Sequence, residues 1–190
     1  MNFRELILKN RSFRRFHQDV SIDETTLKEL VDLGRLSASG GNQQSLKYLI
    51  SATPERNALI FPHLAWAGYL KGWGGPVEGE RPAAYILILG DTAIIKSSGV
   101  DHGIAAQSIL LGAAERGLGG CMIGSIQREP LRQALKLAER YEILLVLALG
   151  KPEETVVLET VKEDDIRYWR DEHGVHHVPK RSLKDVLLTI

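Results

Sequence analysis

The sequence predicts an α+β fold, with helices layered against a sheet. Three observations carry this reading. Residues 83–89 and 143–149 are apolar throughout, as strands buried on both faces are. Each is seven residues long, far short of the ~20 residues a membrane-spanning helix needs. Finally, helical and extended segments intermix without the regular alternation that a doubly wound parallel sheet requires.

Each element follows from local signals. Phe3, Leu6 and Ile7 share one face of a short helix over 2–9. A second helix is predicted over 23–36, with Ser21 and Glu24 spaced as a capping box and Leu27, Leu30 and Val31 at helical spacing. Residues 40–45 form a polar loop before a strand over 46–52. Thr53-Pro54 opens another helix, proline being favoured at the first helical position. Residues 61–82 read as irregular, and Pro82 and Gly90 bound the strand at 83–89. Asp101 is expected to cap an apolar helix running to about 116, which Gly117 ends. A strand near 120–124, a helix over 128–138 and the strand at 143–149 follow. The last forty residues are more charged, with a hairpin-like segment over 166–178 turning at 171–174 and a short helix from Ser182.

With 190 residues, 44% hydrophobic and 25% charged, the chain reads as one soluble domain, residues 1–190. Lys+Arg and Asp+Glu are 24 each, so no global charge draws it to nucleic acid or an anionic membrane. Arg4, Glu5, Lys9 and Arg11 interrupt any apolar leader. The lone cysteine, Cys121, permits no intramolecular disulfide, and a reduced, cytoplasmic setting is expected. Cys121 sits among apolar residues and glycines, as a small buried side chain rather than a nucleophile. His173, His176 and His177 cluster, but adjacent strand residues face opposite ways, so no metal site is expected. No Gly-x-Ser-x-Gly elbow is present.

Four segments carry polar chemistry. Arg11-Ser12-Phe13-Arg14-Arg15 pairs guanidinium forks with a hydroxyl, which suits phosphate oxygens, although a solvated basic stretch has the same composition. Lys180-Arg181 precedes a helix that Ser182 can cap. Residues 37–44 offer hydroxyls, amides and glycine backbone to a polar ring edge, or form a plain helix-to-strand connection. Residues 117–125 contain four glycines that let a ligand approach the backbone closely.

In this order, the four segments resemble the nitroreductase family of FMN-dependent oxidoreductases. The family's Arg-Ser-x-Arg-x-Phe is matched by Arg11, Ser12, Arg14 and Phe16, and its Ser-x-x-Asn-x-Gln by Ser39, Asn42 and Gln44. The apolar central helix with its Gly-Leu-Gly turn is matched over 103–119, and the late basic contact by Lys180 and Arg181. Ala38, Ser45 and Leu46 stand where the family often has proline and Pro-Trp.

The resemblance implies a three-layer sandwich with a mostly antiparallel central sheet, assembled as a homodimer with FMN at the subunit interface. It implies phosphate contacts from Arg11, Ser12, Lys180 and Arg181, and a positive Arg14 beside N1 and O2 of the ring. Ring contacts would come from Ser39, Asn42 and Gln44 of the other subunit and from the backbone at Ile123 and Gly124. Residues 151–190 become a C-terminal arm crossing the partner, and Trp66, Tyr69, Lys71 and Trp73 either a lid over the substrate side or packing at the subunit interface. The flavin itself performs hydride transfer, from NADH or NADPH to a nitroaromatic, quinone or similar small conjugated acceptor, so no catalytic acid–base residue is implied. An FMN-holding protein without nicotinamide turnover, or a specialised reaction such as dehalogenation or azoline oxidation, fits the same motifs.

Overall fold

A computed structural model describes residues 1–188. The chain order is α1 (Phe3–Lys9), β1 (Phe16–His17), α2 (Glu24–Leu36), β2 (Leu46–Ser51), α3 (Pro54–Ile60), β3 (Ala84–Asp91), α4 (Asp101–Glu115), β4 (Gly119–Ile123), α5 (Arg128–Ala134), β5 (Tyr141–Pro152), β6 (Val156–Thr160), β7 (Trp169–Arg170), β8 (His176–Lys180) and α6 (Leu183–Val186). Short 3₁₀ turns at Gly40–Asn42 and Phe61–His63 complete it.

The central sheet is antiparallel. β5 pairs with β3 along one edge, with β4 along the other, and with β1 at its last two residues; β2 lies outside β3. Strand period two divides β3 between two cores. Ala84, Ile86 and Ile88 face Leu27 and Leu30 of α2 and Ile109 and Ala113 of α4. Tyr85, Leu87 and Leu89 face Ile60 of α3 and Leu131 of α5. Helices on both faces of one sheet make three layers, as expected. They also explain why β3 reads as uninterrupted apolar sequence: every residue in it is buried.

Helices α2 and α4 approach closely because small residues meet side chains. A Cβ on Gly34 would lie 3.0 Å from Ile109 Cδ1, and one on Gly112 would lie 2.2 Å from Leu33 Cδ1. Two capping expectations are corrected. The N-cap of α2 is Asp23, which accepts from the Thr26 amide at 2.7 Å, so the Ser21–Glu24 box does not form. Asp101 is the first residue of α4 rather than its cap, and its carboxylate serves the loop at 39–40 instead.

Beyond Pro152 the chain turns back on its own body. β8 pairs antiparallel with β7, giving the hairpin, and parallel with β6, giving a second sheet of order β6-β8-β7. This sheet packs in cis against the segment between α1 and β1. The short α6 follows, with Leu183 and Val186 exposed; residues 189–190 lie outside the described residues.

Candidate functional site

The segment after α1 is held by contacts from the far end of the chain. Asn10 closes α1, its amide bonding Leu6 O at 2.9 Å. Phe13 donates to Gly120 O at 3.0 Å, and Ser12 bridges Gly120 in parallel. On its other side β4 lies tight against β5: a Cβ on Gly120 would lie 2.6 Å from Ala148 O. The amide of Arg14 donates to the Glu154 carboxylate, which is fully buried and also accepts from Arg170 at 2.9 Å.

Arg14 then projects its guanidinium between two residues of the second sheet. It donates to His176 Nε2 at 3.3 Å and lies 5.0 Å from the centre of the Tyr168 ring. A guanidinium can only donate, so Nε2 carries no proton and the imidazole is neutral. Burial and the neighbouring Arg14 and Arg170 charges hold the His176 pKa down at about 4. Its Nδ1 is buried without a partner among the described residues.

These groups surround a cavity of about 350 Å³ lined by Asn10, Arg11, Ser12, Arg14, Gln107, Leu110, Met122, Tyr168, His176, Val178 and Lys180. Three cations line it and no carboxylate does. Arg11 anchors itself through Nε and Nη2 to the carbonyls of Asn10 and Ile7, at 2.6 and 2.8 Å, and burial lowers its pKa. Among the described residues, Arg11, Arg14 and Lys180 have no side-chain ion pair, so their charge is available to an anion. A second cavity of about 220 Å³ shares Arg14, Met122 and Tyr168 with the first and continues to Cys121, Ile123, Gly124, Ser125, Trp66 and Gly68. Nothing lies within 4 Å of where a Cβ on Gly124 would stand, so its backbone is accessible. Burial raises the Cys121 thiol, which keeps it protonated.

The structure therefore brings Arg11, Ser12, Arg14 and Lys180 together and joins them to Ile123 and Gly124. It does not bring Arg181 to them: that side chain turns outward to an ion pair with Asp164. Ser39 and Gln44 line a different cavity of about 390 Å³, with Tyr48 and Asp101. There the Ser39 hydroxyl donates to Asp101 at 2.8 Å and accepts from the Gln44 amide at 3.0 Å, while Gly40 donates to Asp101 at 2.9 Å. This anchor holds Gly41, Asn42 and Gln44 at positive φ (56°, 53° and 51°) and leaves the side chains of Asn42 and Gln44 exposed.

The four lid candidates separate. Trp66 belongs to the second core, tilted against Phe61 at 6.0 Å, and also lines the smaller cavity. Trp73 is half-buried under the Arg170 guanidinium at 4.8 Å. Tyr69 is exposed and packs on Tyr168 at 5.0 Å, and Lys71 is exposed. Sequence reasoning did not single out Tyr168, Glu154 or Gln107, and weighed His176 only as a metal ligand. The alternation His176, Val178, Lys180 was the available signal, since all three line the cavity from one face of β8.

Comparison with known proteins agrees with this architecture. The model of the nitroreductase family matches residues 77–151. The structure of a nitroreductase family protein from Streptococcus pneumoniae TIGR4 superposes with a TM-score of 0.72 at 14% identity, covering 100% of both chains. The chain has the nitroreductase fold. An FMN-dependent nitroreductase from Clostridium difficile R20291 aligns at 21% identity and a TM-score of 0.62, over 83% of this chain and 90% of that one. A protein from Exiguobacterium sibiricum 255-15, solved in complex with FMN, aligns at 19% identity and a TM-score of 0.68, over 80% and 89%. No helix among the described residues is long and apolar enough to cross a membrane.

Proposed function

We propose that the chain is an FMN-dependent oxidoreductase, active as a homodimer, that passes reducing equivalents from NADH or NADPH to a small conjugated acceptor such as a nitroaromatic or quinone. The observation that carries this reading is the cleft where Arg11, Arg14 and Lys180 converge without a carboxylate among its lining residues. A dianionic phosphate suits three cations and the Ser12 hydroxyl. The flavin, when bound, supplies the hydride chemistry.

The chain's own groups hold and orient the cofactor. Arg14 stands where the cation cavity meets the Gly124 cavity, so its charge serves the ring side as well as the phosphate side. The amides at Ile123 and Gly124 offer donors to the ring edge. Asn42 and Gln44, exposed and remote from this cleft in one protomer, complete the partner's site in this reading. Phe3, Val100 and Ile104, exposed on α1 and at the start of α4, supply apolar surface for that assembly.

The test is the visible spectrum of the purified protein after incubation with FMN, followed by anaerobic NADH or NADPH. A retained flavin that bleaches supports the enzyme. A retained flavin that stays oxidised with both donors removes nicotinamide turnover and leaves a flavin-holding protein. Failure to retain FMN refutes the reading.

A further inference from the structure

Strand β8 works on two faces. His176, Val178 and Lys180 line the cation cleft, and His177 projects from the opposite face. There the three strands grip one imidazole. Glu159 of β6 meets Nδ1 at 2.9 Å, and Asp171, in the turn after β7, meets Nε2 at 3.2 Å. The ring of Trp169 on β7 stacks on it at 4.8 Å with an interplanar angle of 1°. Both partners are carboxylates that only accept, so both ring nitrogens must donate, and the ring is satisfied only as an imidazolium. Asp171 is itself fixed, accepting from the His173 and Val175 amides at 2.9 and 2.8 Å. The hydrogen bonds to Glu159 and Asp171 raise the His177 pKa above its ordinary value.

Resting on the flavin reading, we propose that His177 is a positioning residue whose second proton, which lets Glu159 and Asp171 each accept from the ring, locks the three-stranded sheet so that Lys180 meets the cofactor phosphate. Loss of that proton leaves one carboxylate facing a bare nitrogen and releases one edge of β8. The groups facing His177 are Glu159 from β6, Asp171 from the turn and the Trp169 ring from β7. On its own strand its neighbour His176 adds no charge, being neutral. Protonation and cofactor binding therefore favour each other, and linkage requires FMN to raise the His177 pKa by the same factor by which the proton tightens FMN.

The experiment measures the dissociation constant of FMN by fluorescence quenching at pH 7 and pH 9, for the wild type, His177→Gln and Glu159→Gln. We expect the wild type to bind about three- to tenfold more weakly at pH 9, a coupling of ordinary size. His177→Gln should bind at both values as the wild type does at pH 9. Glu159→Gln, which keeps the ring but removes one partner, should lower the His177 pKa and so narrow the difference in affinity between pH 7 and pH 9. The imidazole resonances, followed by NMR with and without FMN, should show an upward pKa displacement for His177. Identical pH dependence in the wild type and His177→Gln, or a His177 pKa unmoved by FMN, overturns the proposal while leaving the flavin reading intact. A wild type that binds FMN at neither pH overturns both. Should His177→Gln not fold, Glu159→Gln and the wild-type NMR titration decide.

Discussion

Replacing Glu154 by alanine tests the tie between the second sheet and the arginine segment. The carboxylate is fully buried and accepts from two groups, the Arg14 amide and the Arg170 guanidinium at 2.9 Å. Truncation strands both. Breaking a buried ion pair from one side costs about 3–5 kcal/mol, because the remaining charge stays desolvated. The stranded amide adds about 1–3 kcal/mol. Against this, the Arg170 side chain is 17% exposed and keeps its seat over Trp73, so water and the indole recover part of the loss. The net expectation is about 3–4 kcal/mol. At about 2–4 °C per kcal/mol for a chain of this size, the midpoint should fall by roughly 6–16 °C. Glu154→Gln keeps one acceptor oxygen and should lose about half as much. Urea denaturation followed by circular dichroism measures both, at one fixed protein concentration because assembly adds its own stabilisation. A loss below about 1 kcal/mol for the alanine variant would refute the argument that Glu154 organises this region.

Other perturbations address separate links. Arg14→Ala should weaken FMN at least about tenfold, since a charge-assisted contact to an anion is lost, and equilibrium fluorescence titration measures it. Gly120→Ala forces a Cβ to within 2.6 Å of Ala148 O and should cost about 1–3 kcal/mol in chemical denaturation; a neutral result would mean that the β4–β5 pairing yields easily. Leu131→Ala, at a fully buried position under the sheet, should cost about 2–5 kcal/mol by the same method. The two adjacent histidines give opposite pH slopes. His176, at about 4 when folded, takes up a proton more readily unfolded, so its share of stability is full above about pH 6.5 and is lost on acidification toward pH 4. His177, raised when folded, contributes below its unfolded pKa and loses that share as pH rises. Denaturation midpoints of His176→Asn and His177→Gln across pH 4 to 9 should lose the acid and alkaline slopes respectively; unchanged slopes would show that other groups set the profile.

Where the sequence was legible, one face of one element decided the matter. The apolar run of β3 needs no partner to be recognised, because burial on both faces is written residue by residue. Helices α1, α2 and α4 and the β7–β8 hairpin are local in the same sense. The basic segment at 11–15 and the glycines at 117–124 stood out by composition, and the structure sets Arg11, Ser12 and Arg14 in cavities that reach Gly124. What stayed hidden was non-local. Asp101 read as a cap because it precedes an apolar helix, whereas its carboxylate answers Ser39 and Gly40 some sixty positions earlier. Tyr168, His176 and Glu154 lie in a charged stretch that resembles solvated surface until the chain folds back. The parallel pairing of β6 with β8 skips the intervening strand, and no spacing rule signals it. Arg181 shows the converse: adjacent to Lys180, it turns away to Asp164.

The bond between Arg14 and Glu154 spans 140 positions, and the contact between Arg14 and His176 spans 162. On a ribosome, the arginines emerge long before these anchors. Loop closure over such distances is slow, and a domain made vectorially completes its most distant contacts after its core. Tied to β4 through Ser12 and Phe13, the segment must still wait for the partners of Arg14 while both faces of the sheet assemble. A nascent chain halted before residue 154 would hold both central cores yet no cleft for an anion. The cation cleft is thus complete only once residues 154–180 have been made, later than both central cores.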